Sequence, residues 1–100
     1  MSEAKRTIWR YNVPMGDSVS IEMPRGAKVL SCTPVVDDFD EVFLWAEVDP
    51  SQPMESHRIE VYGTGHPIST RGRFVGTVQI NDHHGPFVFH LFEAEDQNDD

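Results

Sequence analysis

The sequence has a single cysteine, Cys32, and no long apolar segment. One cysteine excludes an internal disulfide framework, and its apolar, strand-like surroundings predict a buried and unreactive thiol. No apolar run approaches the roughly 18 residues that cross a membrane as a helix, and no apolar segment follows the charged N-terminus as it does in a signal peptide. We therefore expect a cytoplasmic protein with no membrane association.

Basic residues are scarce, because eight Lys and Arg stand against seventeen Asp and Glu, a formal net charge of -9. Proteins bind duplex nucleic acid through basic faces that contact phosphates, so this balance argues against a duplex-binding role. Acidic residues crowd the C-terminal end, as in a solvated tail. We expect one domain over residues 1–93 and an acidic, disordered tail over residues 94–100.

Helical periodicity is also missing, whereas alternation of apolar and polar residues recurs throughout the chain. Strands are predicted at residues 7–13, 19–23, 27–32, 42–48, 57–62, 73–80 and 86–92. Turn residues separate them at the roughly 8 to 12 residue spacing typical of sandwiches. No helix is available to connect parallel strands. The predicted fold class is therefore all-β, an antiparallel β-sandwich of about seven short strands with little or no helix.

The predicted core is formed by apolar side chains on one face of each strand. These are Trp9, Tyr11, Ile21, Leu30, Leu44, Ala46, Val61, Val78, Phe87 and Phe89. The strands at residues 42–48 and 86–92 are apolar on both faces, which is typical of central strands or of strands that meet a partner. Pro34 is expected to end the third strand or to confine it to a sheet edge.

If these core faces are correct, the remaining apolar side chains of the two strands point outward. They are Phe43, Trp45, Val88 and Phe92. Outward aromatic side chains mark protein contact surfaces. The alternative is that a loop or the N-terminal segment covers them. We expect an interface, either with another protein or within a homo-oligomer, most often a twofold dimer.

The segment Val61–Ile68 interrupts the alternation with two glycines, a histidine and a proline. It does not have the spacing of a dinucleotide fingerprint, but a glycine loop can form a backbone nest for an anion. Residues 57–73 carry a local charge of +2 in this acidic chain. Candidate ligand-binding residues for a nucleotide or small anion are Arg58, Gly63, Thr64, Gly65, His66, Arg71 and Arg73.

This anion site requires the strands on either side of the loop to be neighbours, as a hairpin-like connection would make them. The alternative is that the glycines only build a turn and the arginines only solvate the surface. Both interpretations remain open at this point.

Motifs of catalytic or metal chemistry are absent from the sequence. There is no G-x-S-x-G elbow, no H-E-x-x-H and no Cys/His pair with zinc spacing. His83 and His84 are adjacent, so in an extended chain their rings point to opposite faces. The acidic residues at 37–41 are typical of a solvated turn. We expect a protein that is not an enzyme and has no cofactor and no metal site.

Several segments together resemble one protein family. They are residues 7–11, 21–31, 44–50, 62–68 and 87–93, and the most specific is Tyr62-Gly63-Thr64-Gly65-His66-Pro67-Ile68. In these segments the chain is similar to an uncharacterised family of short all-β proteins found in tailed bacteriophages and bacterial genomes. The resemblance implies a phage or prophage protein in the bacterial cytosol, and it implies no particular chemistry.

Two functional hypotheses follow. The leading one is a non-catalytic binding protein, a phage accessory factor that inhibits or modulates a host component through contact with a host or phage protein. The alternative is a nucleotide- or small-anion-binding protein that sequesters its ligand at the loop Gly63–His66. A metal-dependent hydrolase is a weaker alternative, and it would have to draw on the five histidines.

Overall fold

The computed structural model describes residues 5–14, 16, 18–35, 41–69, 71–82 and 85–94. These residues form seven strands: β1 Thr7–Pro14, β2 Ser18–Pro24, β3 Lys28–Pro34, β4 Glu41–Val48, β5 Met54–Gly63, β6 Arg73–Asp82 and β7 Gly85–Glu93. Each of the seven predicted strands corresponds to one observed strand, and the ends differ by at most three residues. In the described ranges, no helix is long and apolar enough to span a membrane.

The strands form two antiparallel sheets, which confirms the predicted all-β sandwich. Sheet A has the order β1-β4-β3, and sheet B has the order β2-β5-β7-β6. The two strands that are apolar on both faces, β4 and β7, are interior strands of their sheets, where the strands on either side partly cover the outer-face side chains. As predicted, β3 is an edge strand, and it ends at Pro34.

The core lies between the two sheets. From β4, every second side chain enters it, namely Val42, Leu44, Ala46 and Val48, and all four are buried. The opposing sheet contributes mainly Met23, Ile59, Val78, Ile80 and Leu91. Burying a side chain of this kind contributes about 1.5 to 3 kcal/mol, so this layer stabilises the fold.

The prediction of core residues is correct for most positions. Leu44, Ala46 and Val78 are buried, and a further set of the predicted residues packs against the core while partly buried: Trp9, Tyr11, Ile21, Val61 and Phe89.

The prediction is wrong for Leu30 and Phe87, which are 40% and 41% exposed. Leu30 lies at a bulge between Val29 and Ser31, where an extra residue interrupts the alternation of faces. Phe87 lies in the part of β7 that pairs with β6 alone, beyond the end of the β5 ladder at Phe89. Leu91 takes the fully buried position on β7.

The connection between β5 and β6 is not a hairpin, so the condition that the anion site requires, that these strands are neighbours, is not met. β7 lies between them and runs antiparallel to both. Gly63 is paired with Phe89, whereas Arg73 is paired with Glu93. The two ends of the connection are therefore four residues apart along β7, about 13 Å at the rise of an extended strand.

Candidate functional site

The four candidate interface residues lie on two opposite faces of the sandwich. Phe43 and Trp45 alternate with the buried side chains of β4, so they lie on the outer face of sheet A. Val88 and Phe92 alternate with buried Leu91 on β7, so they lie on the outer face of sheet B. All four side chains point away from the core, but they contribute to two separate surfaces and do not form one patch.

We call Ile8, Arg10, Leu30, Phe43 and Trp45 the aromatic face of sheet A. The rings of Phe43 and Trp45 meet edge to face with their centroids 6.1 Å apart. The Arg10 guanidinium lies 4.5 Å from the centroid of the Phe43 ring. Ile8 and Leu30 are both exposed at the margins of this face. The aromatic pair is thus held in place on a central strand while its rings remain partly open to solvent.

A hydrogen bond fixes the Trp45 ring further. Its indole N–H donates to the hydroxyl of Thr33 on the neighbouring strand β3, at 3.1 Å. On the other side, Arg10 of β1 is paired with Trp45 in the register of sheet A. The hydrogen bond to β3 therefore restrains the tryptophan ring, which lowers the entropy that it would lose on binding a partner.

The charge around this face differs from that of the whole chain. Arg6, Arg10 and Lys28 surround it, and Glu41 and Glu47 are the acidic side chains on the same face of β4 as the aromatic pair. These five side chains have a balance of +1, whereas the whole chain carries -9.

The outer face of sheet B carries three aromatic side chains, which we call the aromatic row of sheet B. Phe92 lies in the middle, with ring centroids 5.7 Å from Tyr62 and 5.5 Å from Phe74, both edge to face. Phe74, at the β6 end of the row, is 52% exposed. Val88 lies on the same face, farther along β7, where it is paired with Gln79.

The glycine loop is a tight turn that is anchored to the sheet. The His66 N–H donates to the Gly63 carbonyl oxygen at 3.1 Å, and Gly65 has φ +89, a left-handed conformation that favours glycine. A Cβ on Gly63 would lie 3.0 Å from the His66 ring, so glycine leaves room for the histidine. The residue pattern indicates a turn, and the geometry shows why both glycines are needed.

A histidine on β7 anchors this turn. The hydroxyl of Thr64 lies 2.8 Å from His90 Nε2, and the hydroxyl of Thr77 lies 3.0 Å from His90 Nδ1. A neutral imidazole has one donor and one acceptor nitrogen, and a hydroxyl can take either part, so both contacts can be made at once. Sequence reasoning assigned no role to His90 because its partners are 26 and 13 residues away.

An open cleft of about 310 Å³ lies beside the turn. Its lining is Ser18, Arg58, Glu60, Val61, Tyr62, His66, Pro67 and Ser69. The Arg58 Nε atom is 3.2 Å from Glu60, and the Tyr62 hydroxyl donates to the same carboxylate at 2.9 Å. The cleft therefore offers one cation whose charge is balanced by a neighbouring carboxylate, together with hydroxyl groups and an imidazole.

The other candidate arginines do not join Arg58 in a single site. Arg73 lies on the inner side of sheet B, where its Nη2 donates to the Val29 carbonyl oxygen at 2.6 Å and to Glu93 at 2.7 Å. Arg58 alternates with buried Ile59 and so lies on the outer side of the same sheet. Arg71 is exposed in the connection that precedes β6. Of the seven candidate ligand-binding residues, Arg58 and His66 line the cleft.

Arg73 belongs to a group of polar side chains at one end of the sandwich, which we call the ionic cluster: His57, Arg73 and Glu93. One oxygen of Glu93 accepts from Arg73 and, at 3.4 Å, from the Val29 N–H of sheet A. The other oxygen is 3.3 Å from His57 Nδ1. His57 Nε2 approaches Glu55 at 3.1 Å, but with an orientation that forms no hydrogen bond.

This cluster connects the two sheets, because Glu93 of sheet B bonds directly to the backbone of β3 in sheet A. The three residues of the cluster are 36, 20 and 16 positions apart in the chain, so no local pattern groups them. The only available signal was that His57 and Glu93 have the same alternation as the core residues Ile59 and Leu91, which places charged groups on an inward face.

The single cysteine is half-buried and free. Burial raises the pKa of the Cys32 thiol to about 11, so the thiol is protonated at neutral pH and is a poor nucleophile. A Cβ on Gly76 of β6 would lie 3.1 Å from the Cys32 sulfur, which shows how closely β3 and β6 approach there.

Within the described ranges, no three or more His, Cys, Asp or Glu side chains are grouped so that they could hold a metal ion. Two clusters that the sequence analysis considered, His83 with His84 and the acidic residues 37–40, lie outside those ranges.

Fold and surface together define a small all-β sandwich domain with an aromatic face on one sheet and a polar cleft on the other. The chain belongs to the family described as Domain of unknown function (DUF7352), which matches residues 4–100. No curated protein and no solved structure matches the chain.

Proposed function

We propose that this protein is a non-catalytic binding protein that acts through protein–protein contact, and that its contact surface is the aromatic face of sheet A. The observation that carries the proposal is the Phe43–Trp45 pair, which is fixed on a central strand and partly exposed. The resemblance to proteins of tailed bacteriophages supports a phage accessory factor that inhibits or modulates a component of the host cytosol.

The composition of this face supports a role in binding. Tryptophan and arginine are enriched among residues that dominate binding energies, and such residues cluster where a partner can exclude water. Trp45 and Arg10 are adjacent across β1 and β4. Because the Trp45 indole already bonds to Thr33, little side-chain order has to be acquired on association.

The charge of the face indicates the kind of partner. Arg6 and Lys28 add positive charge beside Arg10, although Arg6 is also paired with Glu47 at 2.9 Å. An acidic partner would meet like charge on most of this chain but not here. We propose a partner that offers an apolar pocket for the aromatic pair, with acidic side chains at its rim.

Capture from a bacterial lysate tests the proposal. Tagged wild type is compared with the double variant Phe43→Ala, Trp45→Ala and with Phe74→Ala, which removes a more exposed aromatic ring from the opposite sheet. We expect the double variant to lose partners that wild type and Phe74→Ala both retain. Circular dichroism confirms that all three chains are folded. Recovery of the same proteins by all three would show that the face does not bind them.

A second function, the binding of a nucleotide or small anion, is favoured by the cleft beside the glycine turn. Arg58, His66, Ser18 and Ser69 line it, and these groups can donate hydrogen bonds to phosphate oxygens. Glu60 balances the charge of Arg58, so an anion would have to compete with that carboxylate. This competition makes anion binding the second candidate.

A thermal-shift screen of nucleotides, with and without divalent metal, tests this second function. Ligand at 100 times its Kd stabilises a protein by about 2.7 kcal/mol, which shifts Tm by more than about 10 °C in a domain of this size. We expect Arg58→Ala to abolish the shift and Arg6→Ala, on the other sheet, to retain it. No shift with any nucleotide would count against binding, and a metal-dependent shift with product formation would support a hydrolase.

A further inference from the structure

The β6 edge of sheet B differs from the other three sheet edges of the sandwich, which are β1, β2 and β3. The edge strands β1, β2 and β3 each end in a proline and each carry a charged residue: Pro14, Pro24 and Pro34, with Arg10, Glu22 and Lys28. Prolines and charges at edges prevent pairing with other chains. β6 contains no proline and has its charged residues, Arg73 and Asp82, at its two ends, so residues 76–81 between them, Gly-Thr-Val-Gln-Ile-Asn, contain neither proline nor charge. The bulge of β6, between Phe74 and Gly76, lies before this segment.

The hydrogen-bonding groups of this edge can be identified from the hairpin that β6 forms with β7. Asp82 and Gly85 are the closing pair of the hairpin, and two residues separate them. In such hairpins the closing pair is hydrogen-bonded, and the pairs after it are alternately non-hydrogen-bonded and hydrogen-bonded. Asn81 and Pro86 therefore form a non-hydrogen-bonded pair, which suits a proline because it has no N–H. By the same alternation, Thr77, Gln79 and Asn81 direct their backbone N–H and C=O groups toward the free edge.

The structure leaves these three residues open. All three are exposed, and no ladder joins β6 to any strand but β7 in the described part of the chain. β3 of the opposite sheet packs against β6 and approaches it closely at Gly76, the first residue of the segment. The result is a row of backbone donors and acceptors with uncharged side chains, which is a template for another strand.

We propose that this edge pairs, antiparallel, with the same edge of a second copy of the chain, so that two sheets B form one eight-stranded sheet across a twofold axis. The register that uses all three residues is centred on Gln79. It places Gln79 opposite Gln79 of the second copy and Thr77 opposite its Asn81, both pairs of uncharged hydrogen-bonding side chains.

The charge of the chain favours a second copy as the occupant of this edge. Two copies of a chain with net charge -9 repel each other over most of their surfaces. Residues 76–81 are uncharged, so two copies meet there without like charges in contact. In a twofold dimer each β6 edge is paired with the other, so no further strand can add there. The segment therefore needs neither proline nor charge to prevent continued growth of the sheet. The dimer leaves the aromatic faces of both sheets A open to partners.

The test uses charge reversal at the centre of the proposed register. Gln79→Lys and Gln79→Glu are prepared separately, and each places two like charges opposite each other in a homodimer. Ser20→Glu on β2, the other edge strand of the same sheet, is the matched control. Light scattering over micromolar to millimolar concentrations measures the mass, and circular dichroism confirms that each variant is folded.

We expect wild type and Ser20→Glu to reach twice the chain mass of 11.4 kDa as concentration rises, and each Gln79 variant to remain at the chain mass. An equimolar mixture of the two Gln79 variants restores the dimer, because lysine then meets glutamate. A general loss of folding would not be rescued by mixing.

Three results would overturn the proposal: a monomeric wild type at every concentration, a dimer that tolerates Gln79→Lys alone, or a mixture that stays monomeric. A dimer that is lost in Phe43→Ala, Trp45→Ala but kept in Gln79→Lys would assign the contact to the aromatic face of sheet A. A wild type that stays monomeric but binds a strand of another protein along β6 would equally exclude self-pairing.

Discussion

Glu93 holds the two sheets together, and its replacement by alanine is expected to be the most damaging change of an ionisable residue in the described structure. The carboxylate is 14% exposed and accepts hydrogen bonds from Arg73 at 2.7 Å and from the Val29 N–H at 3.4 Å. Val29 lies in sheet A and Arg73 in sheet B. Loss of this one side chain therefore removes bonds within one sheet and between the two sheets.

The magnitude follows from these contacts. A hydrogen bond between charged groups contributes about 1.5 to 3 kcal/mol, and the lower end applies because the Arg73 side chain is 45% exposed and screened by solvent. A buried N–H that loses its acceptor costs about 1 to 3 kcal/mol, and Val29 is fully buried. Glu93→Ala should thus reduce the free energy of unfolding by about 3 kcal/mol.

Two variants calibrate this result. Glu93→Gln keeps the shape and an acceptor oxygen but removes the charge, so it should cost about half as much as Glu93→Ala. Glu47→Ala breaks the exposed pair with Arg6, and exposed pairs contribute roughly 0.2 to 1 kcal/mol.

Urea unfolding followed by tryptophan fluorescence provides the measurement. With a slope near 1.5 kcal/mol/M, the expected loss lowers the midpoint for Glu93→Ala by roughly 2 M at an unchanged slope. A double-mutant cycle with Arg73→Ala separates the pair energy from the loss of the Val29 contact. If Glu93→Ala costs no more than Glu47→Ala, the ionic cluster does not stabilise the contact between the sheets.

Three further predictions concern packing and the thiol. A Cβ on Gly72 would overlap the backbone carbonyl of Glu93, the last residue of β7, so Gly72→Ala should cost about 3 kcal/mol. Gly16→Ala, with open space around it, should cost less than about 1 kcal/mol in the same urea assay. Leu91→Ala should cost about 2 to 5 kcal/mol because Leu91 is fully buried, whereas Phe87→Ala, at an exposed position on the same strand, should cost less than about 1.5 kcal/mol. Similar losses for the two variants would show that the core assignment of β7 is wrong. Burial raises the pKa of Cys32 from 9.0 to about 11, so its thiol should react with iodoacetamide at pH 8 roughly 100-fold more slowly than in the urea-unfolded chain, and equal rates would refute the burial. The neutral thiol should contribute fully to the free energy of unfolding below pH 9, and this contribution should decline as the pH rises toward 11.

The sequence alone determined the strands and their faces. Alternation is a local property, so seven strands and the inward side chains of β4 could be predicted from it, whereas apolar residues on both faces of β4 and β7 indicated either central strands or strands that meet a partner. Errors arose where a single extra residue interrupts the alternation, as at Leu30, or where a strand extends past its neighbour, as at Phe87. Both depend on the pairing of strands, which a local pattern does not encode.

Only the tertiary structure decided which strands are neighbours. β7 lies between β5 and β6, and this arrangement separates Arg73 from the glycine loop and brings it to Glu93. It also places Trp45 and Phe92 on opposite faces of the molecule, although alternation predicts that both point outward. The physical reason is that alternation specifies which side of a strand is buried, whereas the choice of neighbouring strand depends on burial and hydrogen bonding summed over the whole chain.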